Sequence, residues 1–286
     1  MKRIILVVLL VSIAAFAGIV RSYSKTGRSI SELPRVVSGD SDSQGDVRDE
    51  IRKSFELAAG ARVQVEGING AVKIETSDTH TAEIYIERTA KSAEALQRRK
   101  IIIESSANSL KIRGEKGDAG FISRMFGSSP AEKVHLKLPR AIALVTQGVN
   151  GAVTVGEIDG PVEVHGVNGR VEIAQATGTA EFHGINGNIS VALKRLEKEG
   201  ISLNGVNGNI DLRLGEGVSV DLEAHGMNGR VSSDLPDFVL EEARHGNYHA
   251  RVGNGGNSIS ANGINGNIRL SRATLATAST EAKMKG

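Results

Sequence analysis

The 286-residue chain has no cysteine, no tryptophan, only five prolines, and aromatic residues at 3%. Without cysteine there is no disulfide framework and no lipid-attachment site of the lipoprotein kind, so stability has to come from packing and backbone pairing. Few aromatics means few of the platforms on which sugar-binding and sugar-cleaving sites commonly stack their substrates. Charge of one sign is also lacking: 35 basic residues face 33 acidic ones, and Lys2 and Arg3 fall in an N-terminal leader, which leaves 33 against 33. That balance argues against a nucleic-acid partner, which needs a broad basic field. The one dense basic cluster, Arg98-Arg99-Lys100, precedes Ile101-Ile102-Ile103 and reads as the solvated start of a strand.

Glycine is what the chain has in abundance, 34 residues, and much of it is placed periodically. A phrase of Gly, then Ile, Val or Met, then Asn-Gly recurs seven times. Its Asn-Gly pairs are Asn69-Gly70, Asn150-Gly151, Asn168-Gly169, Asn186-Gly187, Asn207-Gly208, Asn228-Gly229 and Asn265-Gly266. From Asn150 the steps are 18, 18, 21, 21 and 37 residues, the last close to two periods. A period near 20 signals stacked like units. Copies 18 residues apart align Val149 with Val167 and Ile185, Val153 with Val171 and Ile189, and Val155 with Ile173 and Val191. A half-repeat at Asp159-Gly160 and Thr177-Gly178 gives each unit a second turn. Lys194 to Gly200 reads as an insertion that accounts for a 21-residue step, with a helical turn outside the stack.

The parity of apolar residues flips at each phrase: Val162 and Val164 are even-numbered, Val171 and Ile173 odd. A straight strand of period two cannot do this, so the chain bends there, and Asn followed by Gly is the pair expected to take positive φ most cheaply. The expected fold is all-β: a single-stranded β-solenoid of 18 to 21 residue coils with these phrases as corners. An antiparallel β-meander with Asn-Gly hairpin turns is the alternative. The solenoid accounts for more, because stacking like on like gives every copy a reason to keep all four residues, and the Asn side chains can then hydrogen-bond from coil to coil.

Around that array, Met1-Lys2-Arg3, an apolar run from Ile4 to Val20 and Ala15-Phe16-Ala17 predict a signal peptide over 1–17. An uncleaved membrane anchor is the rival, since the run reaches the lower length limit for spanning a bilayer. Residues 18–50 read as a linker, 51–272 as the β domain and 273–286 as a loose tail. The expected location is therefore exported, in the periplasm or at the cell surface.

Phe55-Glu56-Leu57, followed by Val63-Gln64-Val65-Glu66-Gly67-Ile68-Asn69-Gly70-Ala71-Val72 and the later phrases, resembles the bacterial putative adhesin family of β-strand repeat proteins, kin of the head GIN domain. The resemblance covers about Ile51 to Arg272. It implies a β-helix-like envelope protein and offers no catalytic residues to carry over.

The residue before each phrase is always polar: Glu66, Gln147, His165, His183, Asn204, His225 or Asn262. His165 and His183 fall one coil apart and are the candidate metal pair, weighed against a solvent-facing polar ladder; no fixed carboxylate partner is expected to recur beside them. Asp159, Asp211 and Asp221 do not share a column, so no catalytic residue and no cofactor is assigned. His245 to His249 and Gly253 to Asn257 break the repeat, either as a binding loop or as a glycine-rich corner. The function expected is a non-enzymatic adhesin or structural surface whose partner is an envelope protein or glycan, with self-association through the coil ends open to it. A carbohydrate-active β-helix enzyme and an envelope-sensing module that binds a membrane partner are the alternatives.

Overall fold

A computed structural model describes residues 46–116, 129–196 and 200–273 of the chain. The leader, most of the linker, the tail from residue 274 and residues 197–199 of the insertion read over Lys194 to Gly200 lie outside the described residues; Lys194 and Arg195, where that insertion and its expected helical turn begin, are instead in a strand. Among the described residues no helix is long and apolar enough to cross a membrane.

The chain is all-β, in two large mixed sheets, neither of them closed. Its strands begin with β1 (Val47–Glu56), β2 (Ala61–Glu66), β3 (Gly70–Ser77) and β4 (Thr81–Ala90). A short helix α1 (Ala93–Arg98) leads into β5 (Arg99–Ser106), β6 (Ser109–Lys116) and β7 (Ala131–Pro139). The middle of the chain holds β8 (Ile142–Gln147), β9 (Val153–Ile158), β10 (Val162–His165), β11 (Val171–Thr177), β12 (Ala180–Asn186) and β13 (Ile189–Arg195). Then come β14 (Ile201–Asn207), β15 (Ile210–Leu214), β16 (Val220–His225) and β17 (Val231–Ser233). The last are β18 (Phe238–Arg244), β19 (Asn247–Val252), β20 (Asn257–Asn265) and β21 (Ile268–Arg272). β1 starts four residues inside the segment read as linker, because Ile51 and Phe55 have a core to pack against.

One sheet runs β1-β4-β7-β3-β9-β11-β13-β15-β21-β17, the other β18-β19-β16-β20-β14-β12-β10-β8-β2-β6-β5. We call them the first and second sheet. Within the repeats each turn of chain gives one strand to each sheet, and like residues of successive turns face each other in parallel register. Val171 sits between Val153 and Ile189, and Ile173 between Val155 and Val191. The meander alternative therefore fails for the repeats; antiparallel pairs occur only toward the ends, at β1-β4-β7, β5-β6 and β16-β19-β18. Alternating inward residues make a single core of aliphatic columns between the sheets. One column in the second sheet reads Ile112, Val65, Thr146, Val164, Phe182, Leu203, Ala261. Phe182 is the largest side chain buried there, and the column narrows to alanine two rungs away.

The spatial order of the turns departs from the order in sequence. The 37-residue step is not two stacked periods: Asn265 lies on Asn207, and Asn228 lies on Asn265. The chain passes one rung by, builds β16 and β17, returns through the β18–β19 hairpin and inserts β20 and β21 between β14–β15 and β16–β17. The beginning mirrors this, since β2 and β3 lie between the later-formed pair β6–β7 and the pair β8–β9. The first and last turns in sequence are thus each the second rung from an end of the parallel stack, inside β6–β7 and β16–β17. His245 (φ +50) and Gly246 (φ +79) form the tight turn of the β18–β19 hairpin, so that departure from the repeat is a hairpin tip rather than a poorly formed corner.

The corners also assign their glycines differently from expectation. No Asn of the phrases has positive φ; the left-handed residue is the first glycine, as at Gly148 (φ +63), Gly166 (φ +59) and Gly184 (φ +64). The second glycine serves close approach. A β-carbon on Gly169 would lie 2.4 Å from the carbonyl oxygen of Gly151 in the turn beneath. Between the two glycines the aliphatic residue (Val167, for example) points into the core and the Asn points out.

At the start of the stack the corner is completed by a buried ion pair. Arg99, expected to be solvated, is 6% exposed and binds Glu132, itself 1% exposed, while its guanidinium also donates to the carbonyl of Gly67. Asn150 and Asn168 donate their N–H to Ile68 and Val149 in neighbouring turns. Asn69 faces β7, where Glu132 stands in place of a phrase, and donates its N–H to the Glu132 carboxylate at 2.8 Å.

Candidate binding faces

Outward side chains of both sheets form rows that run along the stack. At the corner, each Asn Nδ2 donates to the Oδ1 of the neighbouring Asn. The bonds run from Asn150 to Asn69 (3.0 Å), Asn168 to Asn150 (3.0 Å), Asn186 to Asn168 (3.1 Å) and Asn207 to Asn186 (3.3 Å), then from Asn265 to Asn207 (3.1 Å) and Asn228 to Asn265 (3.0 Å). Asn69 finishes the row on the carbonyl of Pro130 (2.8 Å). From Asn150 onward the row is exposed, so these amides meet water as well as each other.

On the second sheet the polar residues before the phrases share one outward row in the spatial order Glu66, Gln147, His165, His183, Asn204, Asn262, His225. His165 and His183 pair directly, with ring centroids 6.2 Å apart. A carboxylate does recur beside them, against expectation: Glu163, Glu181 and Glu223 stand two residues before the three histidines, on the same face of the strand. The signal in the sequence is a Glu-X-His repeated at 163–165, 181–183 and 223–225, which lies outside the column just before the glycine. Glu163 is drawn to Arg62 (3.3 Å) and lies 3.7 Å from His165 Nε2. Among the described residues, no three His, Asp or Glu side chains converge on one metal-sized point.

On the first sheet, the position just after the second glycine gives an outward row Arg170, Asn188, Asn209, Asn267, Arg230. It borders a trough of about 700 Å³ whose other bank includes Glu172, Ser190, Asp211, Ser232 and Arg269. Sequence comparison missed this row because it lies one residue beyond the phrase. Each Asn here accepts the backbone N–H of the next rung on its Oδ1: from Asn209 to Asn188 (2.9 Å), from Asn267 to Asn209 (3.1 Å) and from Arg230 to Asn267 (3.1 Å). Further along the same face a second hollow contains Tyr85, with the Arg52 guanidinium 4.9 Å over its ring.

The three aspartates are dispersed. Asp159 sits in the turn after β9, Asp211 faces out on the first sheet and Asp221 on the second. The Arg251 guanidinium, then the Gly256 N–H, hold the Asp221 carboxyl below its ordinary range. Gly253 to Asn257 is the turn built around that carboxylate.

No family model and no curated protein matches the chain. Solved structures similar to it include a putative cell adhesion protein from Clostridium sporogenes, 15% identical, TM-score 0.38, covering 79% of this chain and 100% of that one. A putative adhesin from Bacteroides fragilis is 13% identical, TM-score 0.34, over 78% and 97%. A putative lipid binding protein from Parabacteroides distasonis is 11% identical, TM-score 0.25, over 79% and 97%.

Proposed function

We propose that the protein is a non-enzymatic, exported component of the cell envelope, a β-solenoid that serves as an adhesive or structural binding surface for an envelope protein or glycan. The observation that supports this reading is the register of the outward rows: seven successive Asn residues at one corner, polar rows on both sheets, all carried on paired backbone. Binding is then distributed along the stack, with many weak contacts repeated at the strand spacing of ~4.8 Å. Catalysis asks for the opposite arrangement, unlike groups converging on one reacting atom in a water-poor cleft. The carboxyls that neighbours hold below their ordinary range, Glu75 by Lys73, Glu87 by Arg48 and Asp221 by Arg251, belong to separate surface ion pairs. The leader and linker place the domain outside the cytoplasm in this reading. The edges of the first sheet are the charged strand β1 and the three-residue β17, which disfavour strand addition by another copy, whereas the second sheet ends in β5 and β18.

Immobilised protein presented with purified envelope polysaccharides and solubilised envelope proteins tests the proposal. Retention of a polysaccharide or surface protein without new reducing ends or unsaturated products is the expected result. Release of such products would overturn it, and stoichiometric co-purification of one inner-membrane protein alone would replace it with the sensing role.

A further inference from the structure

The row Arg170, Asn188, Asn209, Asn267, Arg230 differs in kind from the corner row of asparagines. At the corner each amide donates to the next, so donors and acceptors cancel along the row. On the first sheet the Oδ1 atoms of Asn188, Asn209 and Asn267 each accept a backbone N–H, and Asn209 Oδ1 also accepts from Asn267 Nδ2 (3.2 Å). This fixes which way those amides point, because a backbone N–H can bond only to the oxygen. The Nδ2 groups of Asn188 and Asn209 are left as donors without a protein acceptor among the described residues, and Arg170 and Arg230 form no ion pair there. The row is therefore rich in unpartnered donors and carries a guanidinium at each end. Four strand spacings, about 19 Å, separate the two arginines.

We infer that this row binds a linear acidic polysaccharide lying along the stack axis, with carboxylates on Arg170 and Arg230 and ring or hydroxyl oxygens on the amides between. This rests on the adhesive-surface reading and supplies its ligand class. The opposite bank of the trough offers what sugar hydroxyls need and a bare polyanion would not: Glu172 and Asp211 as acceptors, Ser190 and Ser232 as either partner. Arg269 is paired with Asp234 (3.0 Å), and Glu172 and Asp211 balance Arg170 and Arg230, so the trough carries no net charge; its two unpaired guanidiniums suit acidic groups spaced along a chain rather than one phosphate per residue. No aromatic side chain lines the trough, so neither bases nor sugar rings stack there and recognition falls to charge and hydrogen bonds. An extended peptide would seek a free strand edge, whereas β11, β13, β15 and β21 are paired on both sides and the edge strand β17 offers only three residues.

The test uses the whole protein with three probes bearing carboxylates on a linear chain: oligogalacturonate, oligoalginate and hyaluronan fragments. Their carboxyl-reduced counterparts and a single-stranded oligonucleotide are the controls. We expect at least one acidic probe to bind, its carboxyl-reduced form to bind roughly tenfold more weakly or not at all, and Arg170→Gln with Arg230→Gln to lower affinity by about tenfold or more. Arg62→Gln, on the opposite sheet, should leave binding unchanged. Both row arginines are exposed, and unaltered thermal unfolding of the double variant confirms that the loss is local. The assignment is overturned if none of the acidic probes binds, if reduced or neutral chains bind equally, if the oligonucleotide competes equally, or if the double variant binds as well as the parent. In those cases the adhesive-surface reading survives when the protein still retains another envelope polymer or protein, and falls with it when nothing is retained.

Discussion

At the scale of single residues, the two glycines of each phrase can be separated by experiment because they are needed for different reasons. Gly166 needs only its left-handed φ: a β-carbon there meets nothing nearer than 3.7 Å. Gly166→Ala should cost ~1 to 2 kcal/mol, the usual penalty for an L-residue in that region, and Gly166→Asn less. Gly169→Ala should cost more, about 3 kcal/mol, because the clash is with the backbone of the turn beneath and relief means separating two rungs. Urea denaturation of the two alanine variants decides, and equal losses would refute the division of roles. Asn168→Ala removes bonds that are exposed, so its cost should stay below ~1 kcal/mol rather than reach the figure for a buried bond. Thr146 works the other way. It is wholly buried between Val65 and Val164, and its hydroxyl has no partner among the described residues. Thr146→Val keeps the shape and removes the stranded polar group, and a gain of about 1 kcal/mol in unfolding free energy is expected.

At the scale of elements, the start of the stack shows how an incomplete corner is closed. The strand pair β6–β7 lacks a phrase, since Gly114 and Glu132 stand where Gly67 and Gly70 stand in the next turn. The Arg99–Glu132 pair fills that corner, and Glu132 supplies the acceptor that a neighbouring turn would give to Asn69. Arg99→Met strands a buried carboxylate and should cost ~3 to 5 kcal/mol. Adding Glu132→Leu should recover only part of this, because the Asn69 N–H then loses its acceptor, worth a further ~1 to 3 kcal/mol. Full recovery in the double variant would show that the bond to Asn69 contributes nothing. This cap was illegible in the sequence: Arg98-Arg99-Lys100 looks like any solvated cluster, and nothing local ties it to a glutamate 33 positions on. The aliphatic columns, by contrast, could be read directly, because Val153, Val171 and Ile189 keep phase at 18 residues and a side chain's phase fixes the face it occupies. Asn-Gly marked the bend correctly in place but not in geometry, since sequence alone cannot tell a glycine chosen for φ from one chosen for lack of a β-carbon.

For the whole molecule, periodicity counts turns without ordering them, which is why steps of 37 and 81 residues concealed two insertions. Both arise where the chain leaves the stack to make antiparallel strands and then returns one rung further in. β6, β7 and β16 of the outermost turns are thereby each held between the inserted turn and an antiparallel strand, while β17 is an edge that pairs with β21 alone. The arrangement predicts an asymmetry between two truncations. Removing 257–286 takes out an interior rung, so β16 keeps only β19 as a partner and β17 keeps none. Hydrogen exchange should then show β16, β17 and β19 losing protection although all remain in the chain, while β8 to β13 keep theirs. Removing 216–286 instead leaves β14 and β15 as a clean last rung. That shorter protein should retain protection through β15 and associate through its newly bared parallel edge, as a rise in mass by light scattering. If the first truncation leaves β16 and β17 protected, those strands can dock directly on β14 and β15, and the inserted turn is not what holds them.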